Sequence, residues 1–282
     1  MLYIIFFISL GTYVEATCAN TIPITIWVHG TLTGPSFFMH DFFYRKLGMV
    51  HAQDYHRRYH CRDMALSLST ADPIVYPFEH FYFWGWSGRL SKTARKKEAQ
   101  QLYLDVQELI QKYKNQYPDK DLFIRLISHS HGGNLLLNLA QAQDSEQPLT
   151  FDELILLSCP VQYATKEYVK CSSFKRIYSF YSADLYQVID FQKIRRNGKT
   201  LKMHSGRRFD EIPTVHQAKI KINGWALMHI EFMLDKFLKH VPLLCKEIDA
   251  FYESLTAKDQ LREKLLHIQH CCNRTKIHRK LF

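Results

Sequence analysis

An apolar run, Leu122 to Ile127, meets Ser128-His129-Ser130-His131-Gly132-Gly133-Asn134, and an apolar helical pattern follows at once in Leu135-Leu136-Leu137, Leu139 and Ala140. A strand that passes into a helix with no linker must turn sharply around one residue, and such a turn tolerates little bulk two positions to either side. Ser128 and Gly132 meet that need. The residue at the apex, Ser130, is lifted clear of the sheet, which makes its hydroxyl the leading candidate for a nucleophile.

Around this junction strands and helices alternate. Ile22 to Val28 reads as a β-branched strand halted by His29-Gly30, and His80 to Trp84 as an aromatic strand ending at Gly85-Trp86-Ser87-Gly88. Ala99, Leu102, Val106, Leu109, Ile110 and Tyr113 recur at helical spacing, and Pro118 closes that helix. Further strands are expected at Leu154–Leu157, stopped by Cys159-Pro160, at Ile177–Tyr181, stopped by Ser182-Ala183-Asp184, and last at Gln217–Ile222. Strands alternating with helices imply an α/β fold, a mostly parallel sheet flanked by helices. The stretch Thr31 to Pro77 has weak periodicity and reads as loops and short helices, with a cap or insertion over 36–79. One domain is expected over 20–245, and 246–282 is expected as a helical, basic C-terminal tail.

A chain of 282 residues, 46% hydrophobic and 23% charged, has a globular composition and enough length for a large core. Its net charge of +10 favours anionic partners. The apolar run Leu2 to Leu10, followed by Val14 and Ala16 at small-residue positions, fits an export signal over 1–16 and a secreted or extracytoplasmic protein. Its lack of Lys or Arg leaves as the alternative a first structural element or an over-long gene start, and a cytoplasmic protein. Seven cysteines without regular spacing form no disulfide framework.

In an open parallel sheet ligands gather beyond the carboxyl ends of the strands. His29-Gly30, Ser130, Asp184 and the region of His229 all fall at such ends, in that chain order. With the motifs Val28-His29-Gly30-Thr31, Ser128 to Asn134, Leu157-Ser158-Cys159-Pro160-Val161, Tyr181-Ser182-Ala183-Asp184 and Trp86-Ser87-Gly88 followed by Arg95, the chain resembles α/β-hydrolases of the lipase and esterase type over roughly residues 22–240. The resemblance implies a triad in which Ser130 attacks an ester carbonyl, His229 moves the proton and Asp184 orients the imidazole. It also implies an oxyanion hole formed by the backbone N–H groups of Thr31 and His131. His29, Gly30, Phe37, Phe38 and Trp86 are the residues expected near substrate, the aromatics as walls of an apolar pocket or as core.

His204 and His216 rival His229, and Asp190 rivals Asp184. His129 and His131 are read as packing or pocket-wall residues, because the elbow turns both away from Ser130. Arg95 is read on the wet face of a helix start, or as an anchor for the loop of Trp86. The groups His51, His56, His60, Cys61 and His267, His270, Cys271, Cys272 lack the complement of a zinc site and are read as surface. No metal or cofactor is required.

The expected activity is hydrolysis of carboxylic esters, of lipids above all, through an acyl-enzyme. Acyl transfer or thioester cleavage with the same triad is the alternative, and a silent hydrolase fold that binds membranes or proteins is the rival from another class. The expected partners are an ester or lipid substrate and an anionic membrane surface, to which the basic tail is suited. Nucleic acid ranks last, since no recognition module accompanies the charge.

Overall fold

The apolar runs become strands that are buried on both sides, as a sheet covered by helices on each face demands. The computed structural model describes residues 20–31, 47–143, 148–183, 194–196, 199–201, 206–210, 212–260, 262–271 and 274–282. The N-terminal apolar run with Val14 and Ala16, the aromatics Phe37 and Phe38, Asp184, Asp190 and His204 lie outside the described residues.

The chain runs through β1 (Thr21–Val28), β2 (Gly48–His51), α1 (His60–Ala71), β3 (Phe81–Gly85), α2 (Lys92–Gln116) and β4 (Asp121–His129). It continues through α3 (Gly132–Leu137), α4 (Leu139–Ala142), β5 (Phe151–Leu157), β6 (Phe174–Tyr181), β7 (Ile194–Arg196) and β8 (Lys199–Leu201). The last elements are β9 (Val215–Ile222), β10 (Trp225–Ala226), α5 (Asp235–Leu238), α6 (Val241–Glu253), α7 (Ala257–Gln260), β11 (Lys264–Cys271) and β12 (Arg274–Leu281). The main sheet has the order β12-β11-β9-β6-β5-β4-β1-β3-β2, with β10 beside β9, and β7 pairs with β8 apart from it. Neighbours from β3 to β11 are parallel, while β2, β10 and β12 pair antiparallel with β3, β9 and β11.

Side chains alternate between two apolar layers. Trp27, Ile127, Ile155, Leu157 and Phe180 meet α1 and α6 through Met64, Leu68, Leu244 and Ile248. Ile26, Val28, Leu126, Leu154 and Leu156 meet α2 and α3 through Leu102, Val106, Leu135 and Leu136. The Ser91 hydroxyl caps α2 by accepting from the Ala94 N–H at 3.2 Å. Arg125 and Glu153 face each other in register across β4 and β5, paired at 2.5 Å. The guanidinium also lies over the Tyr76 ring and donates to the Val75 carbonyl.

The structure corrects two expectations. The tail is helical only to Gln260; Lys264–Cys271 and Arg274–Leu281 then form a hairpin whose first strand joins β9 in parallel, so Ile222 does not end the last strand. Leu266 and Ile268 explain why: one face of the hairpin buries apolar side chains against the α6 layer. The described part of the supposed cap is also built into the body, since β2 extends the sheet and α1 packs on its face. Among the described residues no helix is long and apolar enough to cross a membrane.

Candidate active site

Strand β4 delivers Ser130 to the carboxyl edge of the sheet. Ser130 has φ 54°, so the left-handed backbone of the turn falls on the serine itself. Its N–H donates to the Leu157 carbonyl at 2.9 Å, and its carbonyl accepts from Gly133 N–H at 3.1 Å. Ser128 stays in the strand, fully buried. Sterics fix the surrounding glycines. A Cβ on Gly30 would stand 2.9 Å from Ser130 Cβ, and one on Gly132 would stand 2.4 Å from the His29 carbonyl oxygen. The His29-Gly30 loop therefore lies directly against the serine.

That loop is held from behind. His29 Nε2 accepts from the Trp86 N–H at 3.1 Å, which leaves the proton on Nδ1 to donate to the Gly30 carbonyl at 2.7 Å. Trp86 Nε1 returns a bond to the His29 carbonyl at 2.8 Å, and the two rings stack. Both residues are 1% exposed, so their surroundings make them a clamp on the turn that leads to Thr31 rather than open pocket wall. Thr31 and His131, the two expected oxyanion donors, follow this loop and Ser130 directly.

His229 opens a short 3-10 turn, His229–Met233, braced by the Glu231 carboxylate, which accepts from Met228 N–H at 2.6 Å. His129 Nε2 donates to the His229 carbonyl at 2.9 Å, and the two rings lie 4.3 Å apart. Burial above all, and then the neighbouring His229, holds the His129 imidazole well below its ordinary range, so it is neutral. The histidine beside Ser130 therefore pins the main chain of His229. On the ring itself, Nδ1 lies 3.1 Å from Ser158 Oγ and 3.4 Å from Arg207 Nη2.

Ser158 repeats the geometry of Ser130 one strand over. It follows β5, has φ 51°, and donates its N–H to the Phe180 carbonyl at 2.8 Å. Arg207, nearly buried, donates to the Ser158 carbonyl. Sequence reasoning missed both as site residues. Ser158 had a signal, a small polar residue closing an apolar strand as Ser130 does; Arg207 had none.

The rival His216 is occupied elsewhere. Its Nδ1 meets Asp249 Oδ1 at 2.6 Å and its ring stacks on Tyr252, between β9 and α6. Arg95 is neither wet nor tied to Trp86: it is 1% exposed, and Nη2 donates to Gln162 Oε1 at 3.0 Å, bracing the loop after Ser158. Burial pulls its guanidinium down to about 10. Asn134 braces the same loop through the Pro160 carbonyl at 2.9 Å.

In the first histidine group, His51 and His60 bond the carbonyls of Glu79 and Met233, and Cys61 is fully buried, its thiol pushed up to about 12. Among the described residues no cluster of His, Cys, Asp and Glu is arranged to hold a metal.

No family model matches the chain. No curated protein matches it. Among solved structures the chain is similar to phospholipase PlaB from Legionella pneumophila in complex with thio-NAD, with a TM-score of 0.43 and 11% identity over 91% of this chain and 67% of that one. It is similar to esterase PE8, with a TM-score of 0.38 and 11% identity over 82% of this chain and 95% of that one. Carboxyl esterase 2 from the mycorrhizal fungus Tuber melanosporum gives a TM-score of 0.38 and 10% identity over 82% and 77%. Likenesses at this level say nothing about activity.

Proposed function

We propose that the protein is a serine hydrolase of carboxylic esters, acting on lipid esters through an acyl-enzyme. One observation carries the reading: Ser130 occupies a left-handed apex at the end of a central parallel strand, with the Gly30 loop against its Cβ and His229 pinned by its neighbour His129. A serine held this way has its hydroxyl presented and its backbone already fixed, so little reorganisation accompanies attack.

In this reading Ser130 Oγ attacks the ester carbonyl while His229 Nε2 takes its proton, and the same nitrogen returns it to the leaving alcohol. Backbone N–H groups of Thr31 and His131 receive the oxyanion, each worth about 2.7–4 kcal/mol by analogy with other such donors. In this reading Nδ1 carries a hydrogen for the Ser158 hydroxyl at 3.1 Å to accept, and the contact with the Arg207 guanidinium at 3.4 Å, which can only donate, is given up. Asp184 is the carboxylate we assign to the imidazole. Support comes from Ser182, two residues before it, whose Oγ accepts from the Leu227 N–H at 2.8 Å and so ties the end of β6 to the segment that brings His229.

The test is labelling with a fluorophosphonate together with turnover of a p-nitrophenyl ester. Wild type should label and turn over, and Ser130→Ala should do neither while keeping its fold. A folded wild type that fails to label ends the reading; labelling that persists in Ser130→Ala moves the nucleophile elsewhere. Asp184→Asn should cut turnover steeply, and an unaffected rate transfers the role to Asp190.

A further inference from the structure

The C-terminal hairpin carries cations in two dimensions. Register places Lys219, Leu265 and Lys280 in one row across β9, β11 and β12, and Lys221, His267 and His278 in the next. Gln269 and Lys276 form a third row. Alternation along each strand puts all these side chains on one face. The rows are about 7 Å apart, two residues of strand rise. Lys276, His278 and Lys280 are exposed, and among the described residues Lys221, Lys276 and Lys280 pair with no carboxylate. One lysine on an edge strand guards against strand addition. An array over three strands exceeds that need.

At the rim of this array the β9–β10 hairpin exposes an indole just after its Asn223-Gly224 turn. Trp225 is 79% exposed and opposes Ile222, so its ring leaves the hairpin on the side away from Lys221. The tip thus carries an aromatic ring on one side and lysines on the other. Met228 and Ile230, 60% and 39% exposed, flank His229 in the segment that follows. Indole rings favour the interface between water and lipid, and long lysine side chains keep their charges at headgroup level while their stems follow an apolar surface.

We propose that the β9–β10 turn and the β11–β12 hairpin dock the protein on an anionic phospholipid bilayer. Trp225 enters at the rim, and Lys221, Lys276 and Lys280 contact headgroups. Charge complementarity and the exposed ring beside it favour a bilayer over nucleic acid. Docking in this pose presents the His229 segment to the lipid; that last step rests on the ester-hydrolase reading, and the docking itself does not.

The protein supplies its own probe. Of its four tryptophans, Trp27, Trp84 and Trp86 are at most 1% exposed, so a change of emission on binding reports Trp225. The full chain is titrated with vesicles of phosphatidylcholine mixed with phosphatidylserine, and with phosphatidylcholine alone. Expected are a blue shift with the anionic vesicles, its absence in Trp225→Phe, and weaker binding at higher salt. K221E/K276E/K280E should lose affinity by about fivefold or more per lysine, and the matching triple Lys→Arg variant should retain it.

Four results overturn the proposal: no blue shift in wild type, salt-independent binding, equal affinity of the Glu triple variant, or an oligonucleotide that binds in place of vesicles and depends on these lysines. Turnover of a soluble short-chain ester separates the two readings. Turnover without vesicle binding ends the docking proposal alone, and vesicle binding without turnover ends the hydrolase reading alone.

Discussion

His129 donates its Nε2 hydrogen to the main-chain carbonyl of His229 across 2.9 Å. The bond ties the residue before Ser130 to the main chain of the residue we propose as its base, 100 positions later than His129. His129→Phe removes the donor and keeps the bulk. We expect kcat to fall about 10- to 100-fold with KM nearly unchanged, because small displacements of a base cost rates of that order. His129→Gln, which restores an N–H, should recover part of the loss. Steady-state kinetics on a soluble ester decides this; an unchanged kcat in His129→Phe removes His229 from the site.

Ser158 meets His229 Nδ1 at 3.1 Å. If it accepts the Nδ1 hydrogen, it favours the tautomer with a free Nε2 lone pair. Losing one such bond is worth about 0.5–1.5 kcal/mol, so Ser158→Ala should lower kcat about tenfold at most. The acid limb of the pH–kcat profile should also move to lower pH, since the imidazolium loses an acceptor. A packing defect alone would lower the rate at every pH and leave the limb in place.

The strands most plainly legible in the sequence are those buried on both faces. Leu154 to Leu157 and Ile124 to Ile127 lie buried under helices on both faces, so their apolar character, broken only at Arg125, showed locally and was bounded by turn residues. The C-terminal hairpin hid itself. Leu265, Leu266 and Ile268 follow a spacing that also suits a helix, the helix α6 precedes them, and basic residues occupy both faces of β12. What makes them strands is pairing with β9 some 45 positions earlier, Leu265 beside Lys219, which no local pattern carries. Strand β2 was hidden the same way, a four-residue partner of β3 inside an aromatic stretch. At the site, Ser130 was legible because its turn is local, whereas Arg207 reaches Ser158 from a part of the chain with no pattern of its own.

Arg125 is 3% exposed and pairs with Glu153 on the neighbouring strand. Removing one charge strands the other beside Tyr76, so Arg125→Met should cost about 3–5 kcal/mol, read from the midpoint of urea unfolding. Replacing both, Arg125→Met with Glu153→Met, should cost less than the single change. A double variant as unstable as the sum of the singles means that the two charges act independently.

Acid sensitivity follows from the buried imidazoles. Burial, reinforced by His270 and Lys239, lowers His240 from 6.5 to about 4, and burial lowers His129 in the same direction. A lowered pKa means that the unfolded chain binds the proton first, so folding is favoured fully above pH 6.5 and loses stability as pH falls toward about 4. Replacing His240, whose Nε2 has no hydrogen-bond partner among the described residues, removes one proton from that balance without breaking a bond at that atom. Thermal melts over this window should show a shallower decline for His240→Leu than for wild type, with the two curves furthest apart at the acid end. Parallel declines would mean that other groups, His129 foremost, drive the loss.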